Sequence, residues 1–402
     1  YEGPYDYPPI FHLLLALIPS KKRISLSRFV SPATDALMSA LVFGVAFALT
    51  RNFTAAAIAQ LVFAITPISV YESWTATPRP IGSAFLFFAI IAAYLLPSNP
   101  LLFGASAVIL GALVLLTHKM STQTYFFLSI ALSIIFLRAD YIAFFIAAAV
   151  VALVFSQGFY LTVLGSHFAV LNFWRKNIAV RWKEKGVKRL VRNLAKIGTS
   201  PFYLLIIISF IFGATSLFIT VSLILLLLAF VTSFDSLAFL GENTKYLLFA
   251  TPFLAVGIAL SPLNYYLLAF LAIVSAVEIW LSFRHLERGS GSVVTKAVQE
   301  CFQKIKESNY ERILCLPTSL SFAAAYFTRK KILWADSCYA YDKMREVYPT
   351  IDRPLDEIIR NNFIDAVLIK RENYEKEKFS GKVIFQNDDC ILKETALGRQ
   401  KT

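Results

Sequence analysis

Residues 71–80 read Tyr71-Glu72-Ser73-Trp74-Thr75-Ala76-Thr77-Pro78-Arg79-Pro80. This polar stretch separates two long apolar runs and places a carboxylate and a guanidinium seven residues apart. Three further polar stretches, at residues 5–9, 118–123 and 242–246, interrupt apolar sequence in the same way. We expect all four stretches to lie on one side of a membrane and to form one site at the boundary between lipid and water.

The composition favours an integral membrane protein. Hydrophobic residues make up 57% of the chain and charged residues only 16%, and the mean hydropathy is +0.61. A soluble domain of this size needs more polar surface than that. The net charge of +13 predicts anionic partners, and in a membrane protein these are lipid headgroups rather than nucleic acid.

The hydropathy pattern predicts a mainly α-helical, polytopic bundle in residues 1–285, with about ten spans. Apolar runs of roughly 20 residues are long enough to cross a bilayer as helices. The predicted spans cover about residues 30–50, 55–70, 81–96, 101–116, 124–137, 142–164, two within 202–234, 247–260 and 265–283. An even number of spans separates the polar stretches, which is why we expect them on one face.

Two segments are predicted to be interfacial helices, near residues 8–20 and 172–196. The second carries nine Lys and Arg residues, including Arg175 and Lys176, with apolar residues between them at helical intervals. This pattern is typical of an amphipathic helix on lipid headgroups. It leaves two interpretations open, a plain membrane anchor and a segment that holds a lipid phosphate.

Residues 286–402 have the composition of a small soluble α/β domain. Strand-like and helix-like segments alternate there, without a glycine-rich phosphate loop or a catalytic motif. We expect a structural or docking module. The four cysteines, Cys301, Cys315, Cys338 and Cys390, all lie in this part without CxxC spacing, so no metal site is predicted and any disulfide pairing stays open.

The candidate catalytic residues begin with Glu72 and Arg79. A carboxylate at the mouth of a span must be solvated or paired, and Arg79 is the obvious partner. The pair is either a salt bridge that closes the loop, or a general base whose arginine orients it or holds a phosphate.

Further candidate residues flank the other polar stretches. His118 and Lys119 cap a span and either neutralise a departing phosphate or extend to the interface as ordinary polar residues. Glu242 and Lys245 lie at helical spacing and could pair. Lys245 with Tyr246 would also suit the phosphate of a lipid headgroup.

Three motifs together resemble the GT-C-fold glycosyltransferases, which include the protein O-mannosyltransferases, the aminoarabinose transferase of lipid A and the dolichol-linked glucosyltransferases. Tyr5-Asp6-Tyr7-Pro8-Pro9-Ile10 looks like the Tyr-Pro-Pro-Leu element that ends their first external loop. The segment with Pro67, Glu72 and Arg79 resembles their second external loop. Gly241-Glu242-Asn243-Thr244-Lys245-Tyr246-Leu247-Leu248 is similar to their Glu-x-x-Arg-Tyr-Leu element, with Lys in place of Arg.

The resemblance implies transfer of a sugar from a polyprenyl-phosphate donor to a glycan, lipid or protein acceptor. It places the catalytic face and the C-terminal domain outside the cytoplasm, whereas the basic residues on that face would by themselves predict the cytoplasmic side. The family's acidic residue in the first external loop is expected upstream of Tyr1, with Asp6 or Glu2 as a stand-in catalytic residue in this chain. A divalent cation between Glu72 and Asp6 is conceivable; no metal cluster is predicted.

Two other classes of function remain open. A non-catalytic GT-C-like subunit or scaffold would bind lipid or a partner protein through the same elements. A transporter would need charges inside its spans and helices broken in paired halves. The charges lie mainly at span ends, with Asp35 as the main exception, which disfavours a transporter.

Overall fold

The structure is a computed structural model that describes residues 6–73, 76–181, 186–261, 265–289, 294–333, 351, 353–371 and 380–398. The chain divides into two compact units. Tyr7–Phe283 forms the first, which we call the helical unit. Arg284–Thr402, together with Tyr1–Asp6, forms the second, which we call the α/β unit.

The described part of the helical unit is built from α-helices. Their bounds are α1 (Ile10–Ala16), α2 (Arg23–Ser27), α3 (Val30–Thr50), α4 (Phe53–Ile65), α5 (Pro67–Ser73), α6 (Arg79–Leu95), α7 (Pro100–Leu115), α8 (Lys119–Ile135), α9 (Asp140–Phe155), α10 (Phe159–Arg181), α11 (Gly186–Gly198), α12 (Phe202–Ile211), α13 (Leu217–Val231), α14 (Asn243–Ala259) and α15 (Tyr265–Gly289), the last of which continues past Phe283.

The prediction of ten spans is wrong. Among the described residues, three helical stretches are long and apolar enough to cross a membrane, namely Ser25–Thr50, Arg79–Ser98 and Tyr265–Arg284. The number rises to six if each of three bent helix pairs counts as one span. Helices α7 and α13 have only 16 and 15 residues. At ~1.5 Å per residue they are shorter than the ~30 Å hydrocarbon core of a bilayer.

Local backbone geometry explains the bends. Thr66 is extended, as expected for a residue before proline, and α4 and α5 meet at 56°. Gly158 has a φ of +85°, and the axes of α9 and α10 differ by 120°. The predicted single span at 142–164 is therefore broken, because a right-handed helix cannot run through a left-handed residue.

Helix α14 is the centre of the helical unit. All of its residues from Tyr246 to Ala259 are buried. It contacts α3, α4, α5, α6, α8, α11, α12 and α13. A helix that is apolar on all sides is expected to lie in the interior. Its N-terminal turn carries Lys245 and Tyr246, so the helix that organises the core also positions two of the candidate site residues.

The α/β unit contains one five-stranded sheet with helices. The described elements are α16 (Lys296–Glu307), β1 (Arg312–Leu316), α17 (Ser321–Thr328), β2 (Lys331–Ile332), α18 (Leu355–Asn361), β3 (Ala366–Lys370), β4 (Lys382–Gln386) and β5 (Cys390–Glu394). The strand order is β2-β1-β3-β5-β4. Strands β2, β1 and β3 are parallel, and β5 pairs antiparallel with both β3 and β4. The small five-stranded sheet after the helical unit agrees with the predicted α/β fold.

The interior of the α/β unit holds three free thiols, those of Cys301, Cys315 and Cys390. Cys338 lies outside the described residues. The buried carboxylate of Asp365 accepts hydrogen bonds from the backbone N–H groups of Glu311 at 2.8 Å and Arg312 at 3.0 Å. Asp365 thus ties the start of β1 to the turn before β3.

Candidate functional site

The break between α4 and α5 positions Glu72. Pro67 begins α5, because proline has no N–H to contribute and its fixed φ suits the first turn of a helix. The short helix then brings Glu72 near its C-terminal end, where the side chain is buried. A buried carboxylate is costly unless cations or hydrogen-bond donors compensate its charge.

Two cations compensate Glu72, one on each carboxylate oxygen. Arg79, the first residue of α6, binds Oε2 through Nη1. Lys245, in the first turn of α14, binds Oε1 through Nζ. The predicted pairing of Glu72 with Arg79 is therefore present. The sequence did not indicate Lys245 as the second partner, because 173 residues separate it from Glu72.

Glu242 extends this cluster toward α11. Its Oε2 lies 3.9 Å from Lys245 Nζ, so the predicted pair exists only as a long contact. The other oxygen, Oε1, accepts a hydrogen bond from Lys196 Nζ at 3.1 Å. We call Arg79, Glu72, Lys245, Glu242 and Lys196 the ion chain. Positive and negative side chains alternate along it. It contains three cations and two carboxylates, so one positive charge is in excess.

His118 and Lys119 lie at the start of α8. Lys119 Nζ donates a hydrogen bond to Ser166 Oγ at 2.5 Å and lies 5.5 Å from the centre of the Tyr7 ring. The same ring meets His118 edge-on, with 6.0 Å between centroids. His118 caps α8 by accepting a hydrogen bond from the backbone N–H of Met120 at Nδ1, 3.1 Å away.

The electrostatics of His118 connect this pair with the ion chain. Burial lowers the pKa of His118 well below its usual value, and the positive charges of Arg79 and Lys245 are among those that lower it further. The imidazole is therefore neutral at pH 7. Of the two predicted phosphate-neutralising residues, only Lys119 contributes a positive charge, while His118 contributes hydrogen-bonding capacity.

Tyr246 is fully buried below the ion chain. Its hydroxyl donates to the Leu240 carbonyl at 3.0 Å and accepts from Gln123 Nε2 at 2.7 Å. Gln123 Oε1 lies 3.3 Å from His167 Nε2. This network fixes the N-terminal end of α14, and with it Lys245, against α8 and α10.

Gly241 lets the chain turn into α14. Its φ is +125°, a conformation that favours glycine. A Cβ at this position would come within 2.8 Å of the Met120 side chain. The positive φ and the close approach of Met120 thus explain why a glycine occupies this position of the motif that precedes Lys245.

The polar face of α11 points into the helical unit. Arg189 is buried and pairs with Asp235, which also accepts a hydrogen bond from the Gly186 N–H at 2.9 Å. The apolar side chains of Val187 and Val191 are exposed instead, at 75% and 60%. The exposed face of α11 is therefore its apolar face, which is available to lipid.

Two predicted site residues on α10 are not joined to the ion chain. Arg175 and Lys176 are exposed on α10, and no contact between either of them and the ion chain is found among the described residues. Asp6 is grouped with the α/β unit and not with the helical unit, so its catalytic role stays a prediction. Glu2 lies outside the described residues. Within the described ranges, no three His, Cys, Asp or Glu side chains are grouped so that they could hold a metal ion.

Comparison with known proteins gives no assignment for this chain. No family model matches it, and no curated protein matches it. The chemistry of the site therefore has to be argued from its own residues. A carboxylate between two cations, with a third cation nearby, can bind a phosphate through the cations and can accept a proton once they release it.

Proposed function

We propose that this chain is an integral membrane glycosyltransferase that moves a sugar from a polyprenyl-phosphate donor to a glycan, lipid or protein acceptor. The observation that carries the proposal is the meeting of Arg79 and Lys245, from two further helices, on the buried carboxylate of Glu72. The GT-C resemblance predicted an acidic and a basic residue in one loop and a basic residue at the entrance of a late helix. Here those residues are in direct contact.

Arg79 and Lys245 are suited to hold the donor phosphate. Guanidinium groups bind phosphate oxygens with two parallel hydrogen bonds, and lysine adds a compact charge. Their side chains remain 28% and 18% exposed, so a phosphate can reach them without unfolding the site. Lys119 can contribute a third charge, and the surplus positive charge of the ion chain favours an anion.

Glu72 is suited to receive the acceptor proton. When a phosphate takes over Arg79 and Lys245, both carboxylate oxygens lose their cations and the carboxylate becomes available as a base. The acceptor O–H proton then passes to Glu72, and the acceptor oxygen forms the new bond to the sugar carbon. The bond from that carbon to the phosphate oxygen breaks, and polyprenyl phosphate leaves on the two cations.

The membrane location is part of the proposal. The apolar helices long enough to cross a bilayer support it, as do the exposed Val187 and Val191 of α11. A polyprenyl donor requires such a setting, because its hydrocarbon chain stays in the bilayer. In accordance with the resemblance, we assign the ion chain and the α/β unit to the extracytoplasmic face.

A non-catalytic membrane scaffold is the second candidate. The observation that favours it is the state of Glu72, because both of its oxygens are bound to cations, as in a purely structural salt bridge. Such a subunit would bind a lipid or a partner protein and would transfer no sugar.

Sugar transfer distinguishes the two candidates. Membranes containing the full chain would be supplied with labelled polyprenyl-phosphate sugars, and transfer to endogenous acceptors would be measured. Glu72→Gln and Arg79→Ala should each abolish transfer at equal expression. Arg138→Ala serves as the matched control, because this arginine also pairs with a carboxylate, that of Asp140, outside the ion chain.

The enzyme proposal fails if Glu72→Gln and Arg79→Ala both transfer as well as the unsubstituted chain. If the unsubstituted chain transfers no sugar from any donor tested, the scaffold is the better account.

A further inference from the structure

Helices α3, α4 and α5 enclose a second candidate site, a cavity of about 210 Å³. Its polar lining consists of Asp35, Ser39, Ser69 and Ser73, and its apolar lining of Ala36, Phe63, Ala64 and Val70. Ala36 and Ala64 are exposed, so the cavity opens at the outer surface of α3 and α4. None of these residues belongs to the ion chain.

Asp35 carries a charge that the described residues do not balance. It lies within Ser25–Thr50, one of the three stretches suited to cross a membrane. Its hydrogen-bond partner is the Ser73 hydroxyl, and no cation pairs with it among the described residues. An ionised side chain inside a span is costly and usually marks a pathway or a ligand site.

Ser69 is a second, independent sign of a missing ligand. The side chain is only 4% exposed, and its Oγ has no hydrogen-bond partner in the described part of the chain. A buried hydroxyl without a partner loses its hydrogen bonds to water and gains none in return. Ser69 lines the cavity, and rotation of its side chain would let a bound group supply the missing bond.

Comparison with Glu72 shows what kind of group is missing. Glu72 and Ser73 are neighbours on α5. The carboxylate of Glu72 is paired with two cations, whereas the carboxyl group of Asp35 accepts a hydrogen bond from the Ser73 hydroxyl. The balance that Arg79 and Lys245 give Glu72 therefore has no counterpart at Asp35.

We propose that this cavity binds a primary ammonium group, whose positive charge pairs with Asp35 and whose N–H groups donate to Asp35 and Ser69. A primary ammonium has three donors and no acceptor, as the lysine side chain does. The lining offers a carboxylate and three serine hydroxyl oxygens to receive them. The proposal does not depend on the glycosyltransferase function.

The size of the cavity limits the ligand. Pockets for drug-sized molecules begin at about 300 Å³, so this one encloses a headgroup-sized part of a molecule. The ammonium can come from a lipid, such as phosphatidylethanolamine at the outer surface of α3, or from a free amine in solution. Both sources present the same chemistry to Asp35.

The test uses the purified full chain in detergent micelles. Binding of a probe is measured as a rise in the thermal unfolding temperature of the chain. The probes are a short-chain phosphatidylethanolamine and free ethanolamine, with a short-chain phosphatidylcholine as the control, because its quaternary ammonium has no N–H to donate. We expect a concentration-dependent rise with at least one of the two amines and a weaker effect of the choline lipid. The amine that binds identifies the source.

Three variants test whether the amine binds in this cavity. Asp35→Asn should weaken amine binding about tenfold or more, as expected for loss of a charge-assisted hydrogen bond. Ser69→Ala should weaken it about fivefold while leaving the ligand-free chain at least as stable, since the orphan hydroxyl is gone. Asp140→Asn removes a carboxylate from α9, which supplies none of the lining residues, and should bind as the unsubstituted chain does.

Three results would overturn the proposal. They are no binding of either amine, equal binding of the choline lipid, and unchanged amine binding in both Asp35→Asn and Ser69→Ala. If Asp35→Asn does not fold, Ser69→Ala decides alone, because the removal of an unpartnered hydroxyl leaves the fold intact.

Discussion

The substitution Glu72→Gln should destabilise the helical unit by about 3 kcal/mol. The change keeps the shape of the side chain and removes its charge, so Arg79 and Lys245 lose their common counter-charge. Removing one partner of a buried ion pair costs roughly 3–5 kcal/mol. We expect the lower end of that range, because the two cations are 28% and 18% exposed and water can partly replace the carboxylate.

The assay is equilibrium unfolding of the purified full chain in mixed micelles, followed by a probe of helix content. Asp140→Asn is the matched control, because it removes the carboxylate of the Arg138–Asp140 pair, whose side chains are 26% and 23% exposed. Pairs near the surface contribute about 0–1 kcal/mol. The control should therefore lose less than a third of what Glu72→Gln loses.

A double-mutant cycle with Lys245→Met isolates the contact between Glu72 and Lys245. Residues in one ion-pair network usually show coupling free energies of about 0.5–3 kcal/mol. We expect at least 1 kcal/mol here, because the carboxylate is buried. A coupling below ~0.5 kcal/mol, with Glu72→Gln no worse than Asp140→Asn, would refute the claim that the cluster holds α5, α6 and α14 together.

Three further predictions concern groups outside this contact. Burial raises the pKa of Cys315 to about 12, so its thiol should resist maleimide at pH 8 in the folded chain and react after denaturation, as mass spectrometry would show. Asp365→Ala should cost about 2 kcal/mol in the unfolding of the α/β unit, because two backbone N–H groups lose a charged acceptor; a loss below ~0.5 kcal/mol would contradict this. For His118 the folded pKa lies below the unfolded value, so the unfolded chain binds the extra proton and the free energy of unfolding should fall as the pH drops through 6.5 toward 5. His118→Gln should flatten that pH dependence, and an equal slope in both proteins would argue against a buried neutral imidazole.

The sequence predicted local features of the fold well. The polar stretches at 118–123 and 242–246 lie at the N-terminal ends of α8 and α14, and the segments at 312–316, 366–370 and 382–385 are strands. The number of spans was overestimated because hydropathy reports how apolar a segment is and not where the chain bends. Helix α14 illustrates the difference, since its apolar sequence is buried among other helices of the protein.

The candidate site was predicted only in part for a related reason. Spacing along one loop was enough to pair Glu72 with Arg79. The contacts of Glu72 with Lys245, and of Glu242 with Lys196, join residues far apart in sequence and depend on how α5, α11 and α14 pack. Likewise, the sequence marked Asp35 as an exception but gave no sign that Ser69 and Ser73 lie beside it.

The most direct test of the account is whether the ion chain binds a lipid phosphate. Binding of a polyprenyl phosphate to the purified full chain would be compared with binding of the polyprenol, which has the same hydrocarbon chain without the phosphate. The account predicts a clear preference for the phosphate, lost in Arg79→Ala and Lys245→Met and retained in Arg138→Ala. Equal binding of the two lipids, or an undiminished preference in both variants of the ion chain, would contradict it.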